Sequence, residues 1–310
     1  MSIVKTDVPM TSALLNETVD ALLAAYPAFR SEVLTTTAYG RPVRTLVIGE
    51  GERRVLFSAA HHANEWITTP VILKFMEELA DAAQRGGKIW GVDASTILRY
   101  NTIHTVPMVD PDGVDLVTGA IEPGTLAYES ARSLGDNYPD IPFPDGWKAN
   151  LLGVDLNLQY PAGWLQAREI KFSQGFTKPG PRDYVGRSPL NQRETMALAA
   201  YTEEVDPVLV LAYHTQGEVI YWQFREIEVP GARDLAEEFA RISGYVLEDV
   251  PYGSSFAGYK DWFIQTFRRP GFTVEVGLGE NPLPLAQFDS IYKKNLGVLV
   301  TAALGLPGGV

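Results

Sequence analysis

The sequence predicts an α/β protein in which helices cover both faces of a twisted, mixed and mostly parallel sheet. Its short apolar runs are nearly continuous rather than alternating, which is typical of strands buried on both faces. Longer segments with helical periodicity separate these runs and favour a single-domain α/β/α sandwich. Polar residues stand at the ends of several runs, where sheets of this kind collect their ligands.

Five apolar runs predict strands and five periodic segments predict helices. Strands are expected at 43–48, 55–60, 103–109, 208–212 and 272–276, and helices at 13–25, 69–83, 191–204, 232–242 and 284–303. Asn191, with Glu194 three residues later, is expected to cap the third helix. Segments 119–148 and 166–187 are rich in Gly, Pro, Asp and aromatic residues without a period. We expect long loops there that line or roof a cleft.

The length of 310 residues fits one large α/β domain or two ordinary ones. No linker, repeat or low-complexity tract interrupts the chain, and the candidate site residues are drawn from four segments between Glu65 and Glu275. Dividing the chain would divide the site. We therefore expect one catalytic domain over residues 1–310, with the motifs from about 39 to 310 and a helical segment, 1–38, packed on it.

The net charge of −12 argues against nucleic acid and against an anionic membrane surface as partners. The N-terminus has no basic start followed by an apolar core and a cleavage site, so we expect no signal peptide and a cytoplasmic location. No apolar run reaches the ~18 residues of a membrane span. The absence of cysteine excludes disulfides and thiol catalysis. We expect a monomer.

Three residues form a candidate zinc site. In AAHHANEWITTP, His62 and Glu65 stand three residues apart at the bend after a predicted strand, and His214 follows another strand. Two His and one Glu that leave the fourth position open are a ligand set of catalytic zinc, whereas a structural zinc closes all four positions. In the pattern H-x-x-E followed by Trp66, the histidine three residues before Glu65 is His62. The neighbouring His61 is expected to be packed or solvent-facing. His104 is expected to be a hydrogen-bonded core residue.

Six motifs in one order resemble the zinc carboxypeptidase family. They are AHHANEWITTP, WKAN, GVDLN, PRDY, YHTQGE and AGYKDW, and the resemblance runs from about Tyr39 to the C-terminus. The similarity is closer to the bacterial γ-D-glutamyl-diaminopimelate peptidases, which trim peptidoglycan stem peptides. It implies the carboxypeptidase fold, one zinc ion and a murein peptide as substrate.

The resemblance also implies roles for three residues outside the ligand set. Glu275, at the end of FTVE, is the expected general base, which takes a proton from water and delivers it to the leaving amine. Lys148 stands where the carboxypeptidases carry an arginine that polarises the scissile carbonyl. Asp155 resembles the carboxylate that hydrogen-bonds the first zinc histidine and fixes its tautomer.

One departure from the family concerns the substrate carboxylate. Asn157 matches a residue that contacts this group, but the digestive enzymes carry an arginine next, where this chain has Leu158. The bidentate partner for a C-terminal α-carboxylate is therefore missing. Arg182 in PRDY is the preferred candidate to hold a diaminopimelate carboxylate instead, ahead of Arg168, Lys171 and Arg187.

Two further residues are expected at the cleft. Tyr252 resembles the mobile tyrosine that caps the family's site, although its spacing to Asp261 is one residue longer. Gln216 follows His214 closely enough to face the cleft and hydrogen-bond there.

Together these features predict a zinc metallopeptidase that cleaves the γ-D-glutamyl–diaminopimelate bond of peptidoglycan stem peptides. The enzymatic alternatives are a conventional metallocarboxypeptidase, which Leu158 disfavours, and a small-amide deacylase on the same scaffold, which the long loops leave open. The alternative outside enzymes is a metal-free peptide-binding protein, which the complete set of ligands and base disfavours.

Overall fold

The computed structural model describes residues 2–305, and its centre is a seven-stranded sheet. The strands are β1 (Val33–Thr36), β2 (Pro42–Arg44), β3 (Leu46–Ile48), β4 (Arg53–Ala59), β5 (Lys88–Ile89), β6 (Val92–Asp93), β7 (Asn101–Val106), β8 (Leu209–His214), β9 (Val219–Tyr221), β10 (Val246–Leu247) and β11 (Gly271–Glu275). The helices are α1 (Ser12–Ala25), α2 (Thr68–Gln84), α3 (Ala94–Tyr100), α4 (Pro111–Val117), α5 (Leu126–Gly135), α6 (Trp164–Ser173), α7 (Arg193–Val205), α8 (Ala232–Ser243), α9 (Tyr259–Phe267) and α10 (Phe288–Leu304).

The strand order is β10-β9-β11-β8-β4-β7-β3, and the four central strands β11, β8, β4 and β7 are parallel. β3 is antiparallel to β7, and β9 is antiparallel to β11. Two short hairpins, β1–β2 and β5–β6, lie outside this sheet. The mixed, mostly parallel sheet predicted from the sequence is confirmed.

Side chains of the central strands enter a different hydrophobic core on each face of the sheet. On β4, Val55 and Phe57 pack into the core that contains the apolar residues of α2, α8 and α10. Leu56, between them, packs into the core built with α7 and α9. All six residues of β8 are buried. Burial on both faces explains the continuous apolar runs and confirms the layered α/β architecture.

The five predicted helices are present with small shifts of their ends, and two details are wrong. Asn191 does not cap α7: the N-cap is Gln192, and no side chain bonds the free N–H groups there. The backbone N–H of Asn191 donates instead to Gln159 Oε1 at 2.9 Å. The helix expected from residue 284 begins at Phe288, because Leu285–Gln287 form a separate 3₁₀ turn.

The predicted strand 43–48 is two strands, β2 and β3, separated at Thr45. The N–H of Thr45 donates to Glu32 O at 3.0 Å, so the chain changes partner there, from β1 to β7. The segment 119–148, predicted as a loop, contains α5, and the segment 166–187 begins inside α6. Within residues 2–305, no helix is long and apolar enough to cross a membrane.

Candidate metal centre and active site

A tight elbow after β4 brings His62 and Glu65 to the carboxyl end of the sheet. Ala60 has a positive φ of 48°, which turns the chain out of the strand. The Thr68 hydroxyl accepts from the Ala60 N–H at 3.0 Å and donates to Glu65 O at 2.7 Å. The elbow is therefore closed by the first residue of α2, and His62 caps the 3₁₀ turn Ala63–Glu65.

The two strands beside β4 supply the other groups. His214 is the last residue of β8, which runs parallel to β4. Glu275 is the last residue of β11 and is in register with His214 on the neighbouring strand. Three adjacent parallel strands thus deliver their terminal polar groups to one edge, as the strand-end positions in the sequence predicted.

His62, Glu65 and His214 converge on one point, with one ligand atom from each lying within 4.8 Å of the others. His62 Nδ1 lies 2.9 Å from Glu65 Oε1, and His214 Nδ1 lies 2.9 Å from Glu65 Oε2. The two Nδ1 atoms are 3.3 Å apart. These three residues form a site that could bind a metal ion.

The tautomer of His62 indicates that this cluster is built around a positive charge. Its Nε2 lies 3.2 Å from Asp155 Oδ1, and an ionised carboxylate only accepts, so Nε2 carries the proton. In the neutral ring Nδ1 then presents a lone pair to the Glu65 carboxylate and to His214. Electron-rich atoms this close need a cation or a proton between them, and two imidazoles with one carboxylate suit zinc.

Electrostatics at the cluster follow from burial and from the cluster's own charges. Burial opposes protonation of His62, but the carboxylates of Glu65 and Asp155 outweigh it and raise the pKa of His62 to about 9. Burial also acts to raise the pKa of Glu65, yet His62, Lys148 and His214 hold that pKa well below its ordinary value. Where a cation is not bound, a proton on His62 takes its place.

Glu275 is a carboxyl group in a less favourable environment than Glu65. Burial and the nearby negative charge of Glu65 raise the pKa of Glu275 to about 8. A cation in the cluster would stabilise the ionised form and lower this pKa. A carboxyl group that gains and loses its proton near neutral pH is suited to proton transfer.

Lys148 and Asp155 lie against the metal cluster, where the sequence predicted them. Lys148 Nζ is 2.9 Å from Glu65 Oε1, and its backbone carbonyl accepts from Ala63 N–H in the elbow at 3.1 Å. Asp155 Oδ2 also accepts from Asp183 N–H at 3.2 Å. His62 is therefore oriented by a carboxylate that is itself held by a neighbouring loop.

The predicted substrate contacts are brought together only in part. Asn157 and Arg182 line the cleft with the metal cluster, as does Leu158. Tyr252 is 72% exposed and lines a neighbouring cavity of about 620 Å³. Gln216 is exposed and, among residues 2–305, is not one of those lining this cavity, and its hydrogen-bonding role stays a prediction. The residue before it, Thr215, donates its hydroxyl to Asn281 Oδ1 at 2.6 Å.

The other two histidines have structural surroundings. His61 is buried, stacks on His214 with ring centroids 5.6 Å apart, and lies 3.3 Å from the Tyr160 hydroxyl. His104 on β7 bonds the Tyr201 hydroxyl at 2.7 Å, and burial lowers its pKa to about 4. His61 is packed as expected, and His104 is hydrogen-bonded but half-buried rather than fully in the core.

Several charged residues of the cleft were not singled out by sequence reasoning. The structure adds Asp183, which bonds Lys171 at 2.6 Å and Arg182 at 2.7 Å, and the adjacent pair Lys260 and Asp261. Asp261 appeared in the sequence only as a spacing marker. The motif AGYKDW contained both members of the pair, but nothing in its pattern indicates that they are buried.

The parallel strands and the two-His, one-Glu cluster at their ends define a site of the metallopeptidase class. Residues 15–296 match the family model described as zinc carboxypeptidase, and the chain belongs to that family. This confirms the resemblance drawn from the motifs.

The chain is 42% identical over 291 residues to gamma-D-glutamyl-L-diamino acid endopeptidase 1 of Lysinibacillus sphaericus, across 93% of this chain and 70% of the relative. Its fold is similar to that of carboxypeptidase A from Helicoverpa armigera, with a TM-score of 0.74, 17% identity and coverage of 97% and 75% of the two chains. Thrombin activatable fibrinolysis inhibitor gives a TM-score of 0.77 at 15% identity, with coverage of 100% and 78%. At such identities the solved structures show the carboxypeptidase fold alone.

Proposed function

We propose that this protein is a metallopeptidase with one zinc ion that hydrolyses the γ-D-glutamyl–diaminopimelate bond of peptidoglycan stem peptides. The observation that carries the proposal is the convergence of His62, Glu65 and His214 beside Glu275. The 42% identity to a relative named for γ-D-glutamyl-L-diamino acid cleavage supports the choice of substrate.

His62, Glu65 and His214 would hold the metal, and Asp155 would orient the first of them. When bound, zinc supplies Lewis acidity and lowers the pKa of water toward ~7. Glu275 would accept a proton from the attacking water and pass it to the leaving amine, and the nearby cation would favour its ionised, proton-accepting form.

Lys148 places a positive charge beside the reacting centre. Its Nζ is 2.9 Å from Glu65 Oε1, and its side chain is only 17% exposed. An ammonium is a point charge rather than a planar fork, so it stabilises one developing oxyanion without gripping two oxygens. Asn157 contributes its amide: its Oδ1 accepts from Tyr259 N–H at 3.0 Å, which leaves its NH₂ group for a substrate carboxylate.

Leu158 sets the expected substrate preference. It is buried in the cleft wall at the position where an arginine would anchor a C-terminal α-carboxylate. An ordinary C-terminal L-residue therefore loses a charge-assisted pair, often ~1.5–3 kcal/mol. We propose that Arg182, which lines the same cleft, holds the diamino acid's own carboxylate instead.

The test compares kcat/KM for L-Ala-γ-D-Glu-meso-diaminopimelate with that for hippuryl-Phe and hippuryl-Arg on one preparation. The stem peptide should be preferred by about tenfold to a hundredfold, which corresponds to the lost pair. Elemental analysis should find one zinc per chain. Preference for the hippuryl substrates would replace the proposal with a conventional carboxypeptidase. Activity on simple acylated amides alone would indicate a deacylase, and a chain that binds no zinc would contradict both the peptidase and the deacylase.

A further inference from the structure

The cleft contains a buried ion pair that the proposed chemistry does not use. Lys260 and Asp261, in the first turn of α9, are each 4% exposed, and Lys260 Nζ lies 2.6 Å from Asp261 Oδ1. Both line the same cavity of about 250 Å³ as the metal cluster. Isolating an ion pair from water usually costs more than a well-packed apolar pair of the same size. Its presence in this cleft therefore needs an explanation.

Among the residues that the structure describes, neither Lys260 nor Asp261 has hydrogen-bond partners for all of its polar groups. Lys260 Nζ donates to Gln223 O at 2.5 Å and approaches Asp261, which accounts for two of its three N–H donors. Asp261 Oδ1 is buried and receives no well-oriented hydrogen bond within residues 2–305, although Nζ is close. The pair thus retains one donor and one acceptor in a buried part of the cleft wall.

The pair is fixed next to the substrate-binding residues. The Asp261 carboxylate and the Asn157 amide both lie close to Gly258, the residue before α9. A Cβ added at Gly258 would lie 2.9 Å from Asp261 Oδ2 and 3.7 Å from Asn157 Oδ1. At Gly271, the first residue of β11, a Cβ would lie 3.4 Å from Lys260 Cγ. The lysine stem therefore packs on the first residue of the strand that ends in Glu275.

A second cluster of charged residues in the cleft, formed by Asp183, Lys171 and Arg182, differs in net charge. The Asp183 carboxylate bonds both Lys171 at 2.6 Å and Arg182 at 2.7 Å, so two cations share one anion. That group carries a net positive charge and suits a carboxylate. The Lys260–Asp261 pair has no net charge, so only a ligand with both signs can enter without leaving a buried charge unpaired.

We propose that Lys260 and Asp261 recognise a zwitterion, the free ammonium and carboxylate at the far end of a diamino-dicarboxylic acid such as diaminopimelate. Lys260 pairs with the carboxylate and Asp261 with the ammonium, so that four charges alternate in sign. This inference rests on the proposed function and specifies its substrate. A lysine-type diamino acid, which has an ammonium and no distal carboxylate, leaves Lys260 without its partner.

The test measures kcat/KM for two peptides, L-Ala-γ-D-Glu-meso-diaminopimelate and L-Ala-γ-D-Glu-L-Lys. The wild-type protein should prefer the first by at least tenfold. Lys260→Met, which keeps the apolar stem, should reduce this preference at least tenfold, mainly through KM. The matched control is Lys171→Met in the other charged group. It should change both values by the same factor, because both peptides carry the carboxylate next to the scissile bond.

Asp261→Asn gives a second measurement if Lys260→Met does not fold. A third peptide, with 2-aminopimelate in place of diaminopimelate, keeps the distal carboxylate and lacks the ammonium. Asp261→Asn should lower the preference for diaminopimelate over 2-aminopimelate at least fivefold. Bound zinc and the melting temperature are recorded for every variant.

Equal losses on all peptides in both variants would show that the pair is structural and overturn the inference. So would a wild-type protein that cleaves the lysine peptide as well as the diaminopimelate peptide. Failure of the proposed function looks different: the wild-type protein then cleaves none of the γ-D-glutamyl peptides while it turns over other substrates.

Discussion

Glu275 is the residue whose chemistry is most separable from metal binding. It lies one strand away from His214 and does not belong to the His–Glu–His cluster. Glu275→Gln keeps the size of the side chain and removes its ability to accept a proton. We expect zinc content to be unchanged and kcat on the γ-D-glutamyl peptide to fall ~10²–10⁴-fold, the usual scale for a general base.

The control for this prediction is Glu280→Gln, five residues further on, where the side chain is exposed and outside the cleft. It should keep wild-type kcat. Normal turnover in Glu275→Gln would assign proton transfer to another group, and loss of zinc in that variant would place Glu275 among the ligands.

For single residues, the sequence predicted the site best where the chemistry allows only a few residue types. Few residues can bind zinc, so two histidines and a glutamate at strand ends, in family order, were sufficient to locate the centre. Lys260 and Asp261 lacked such a signal, because adjacent Lys and Asp are ordinary on a solvated helix start. Only the packing of α9 against β11 shows that they are buried.

Among the elements, α7 carries a buried acid that links stability to pH. Glu194, in the first turn of this helix, is 2% exposed. Burial, with the charge of Asp112, raises its pKa from 4.5 to about 7. The folded protein therefore binds this proton more tightly than the unfolded chain. This tighter binding contributes about 3 kcal/mol to the free energy of unfolding. The contribution is fully present below pH 4.5 and is lost as the pH rises through 7.

Glu194→Gln replaces the protonated acid by a neutral amide of the same shape and should remove this loss. Urea unfolding at pH 4.5 and pH 8 measures it: the difference in unfolding free energy between variant and wild type should grow by about 3 kcal/mol toward pH 8. Glu203→Gln, exposed on the same helix, is the control and should give a difference that does not change with pH. A constant difference for Glu194→Gln would mean that the acid is ionised in the folded protein.

Among the helices that the sequence did not predict, α4 and α9 are short but mostly buried, whereas α5 and α6 have few buried residues. In α5 only Ala131 and Gly135 are buried, and in α6 the buried residues are Trp164, Ala167 and Lys171. Both helices are ten residues long, and most of their apolar side chains are only partly buried or exposed. The strands β5, β6 and β10 have two residues each and are too short to show a period. Long elements that pack on the central sheet were predictable because burial imposes a pattern on them.

For the molecule as a whole, we propose that the chain forms one catalytic domain to which its N-terminal segment is bound. Asp115 on α4 accepts from the N–H and the hydroxyl of Ser12 at the start of α1. Arg41 bonds both Asp115 at 2.5 Å and Asp112 at 2.9 Å. The guanidinium and two buried carboxylates thus join α1 to the elements near the metal-binding elbow.

Arg41→Met should lower the unfolding free energy by about 3 kcal/mol, because it leaves two buried carboxylates without their cation. Unfolding in urea, followed by both fluorescence and circular dichroism, should keep a single transition. Arg44→Met is the control: Arg44 pairs with Asp20, which is 67% exposed, and its loss should cost at most about 1 kcal/mol. Two separate transitions would contradict a single domain.

The position of β11 in the sheet also bears on the synthesis of this protein. β11 is the last strand in the chain, yet it lies between β8 and β9, which are made earlier. A nascent chain that has passed Tyr221 already contains all three residues of the metal cluster, but β8 then has an open edge of unpaired N–H and C=O groups. Until Gly271–Glu275 leave the ribosome, that edge is available to other chains. Truncated products should therefore aggregate, and the same five residues that close the sheet also bring the proton acceptor, so the active site and the sheet are completed together.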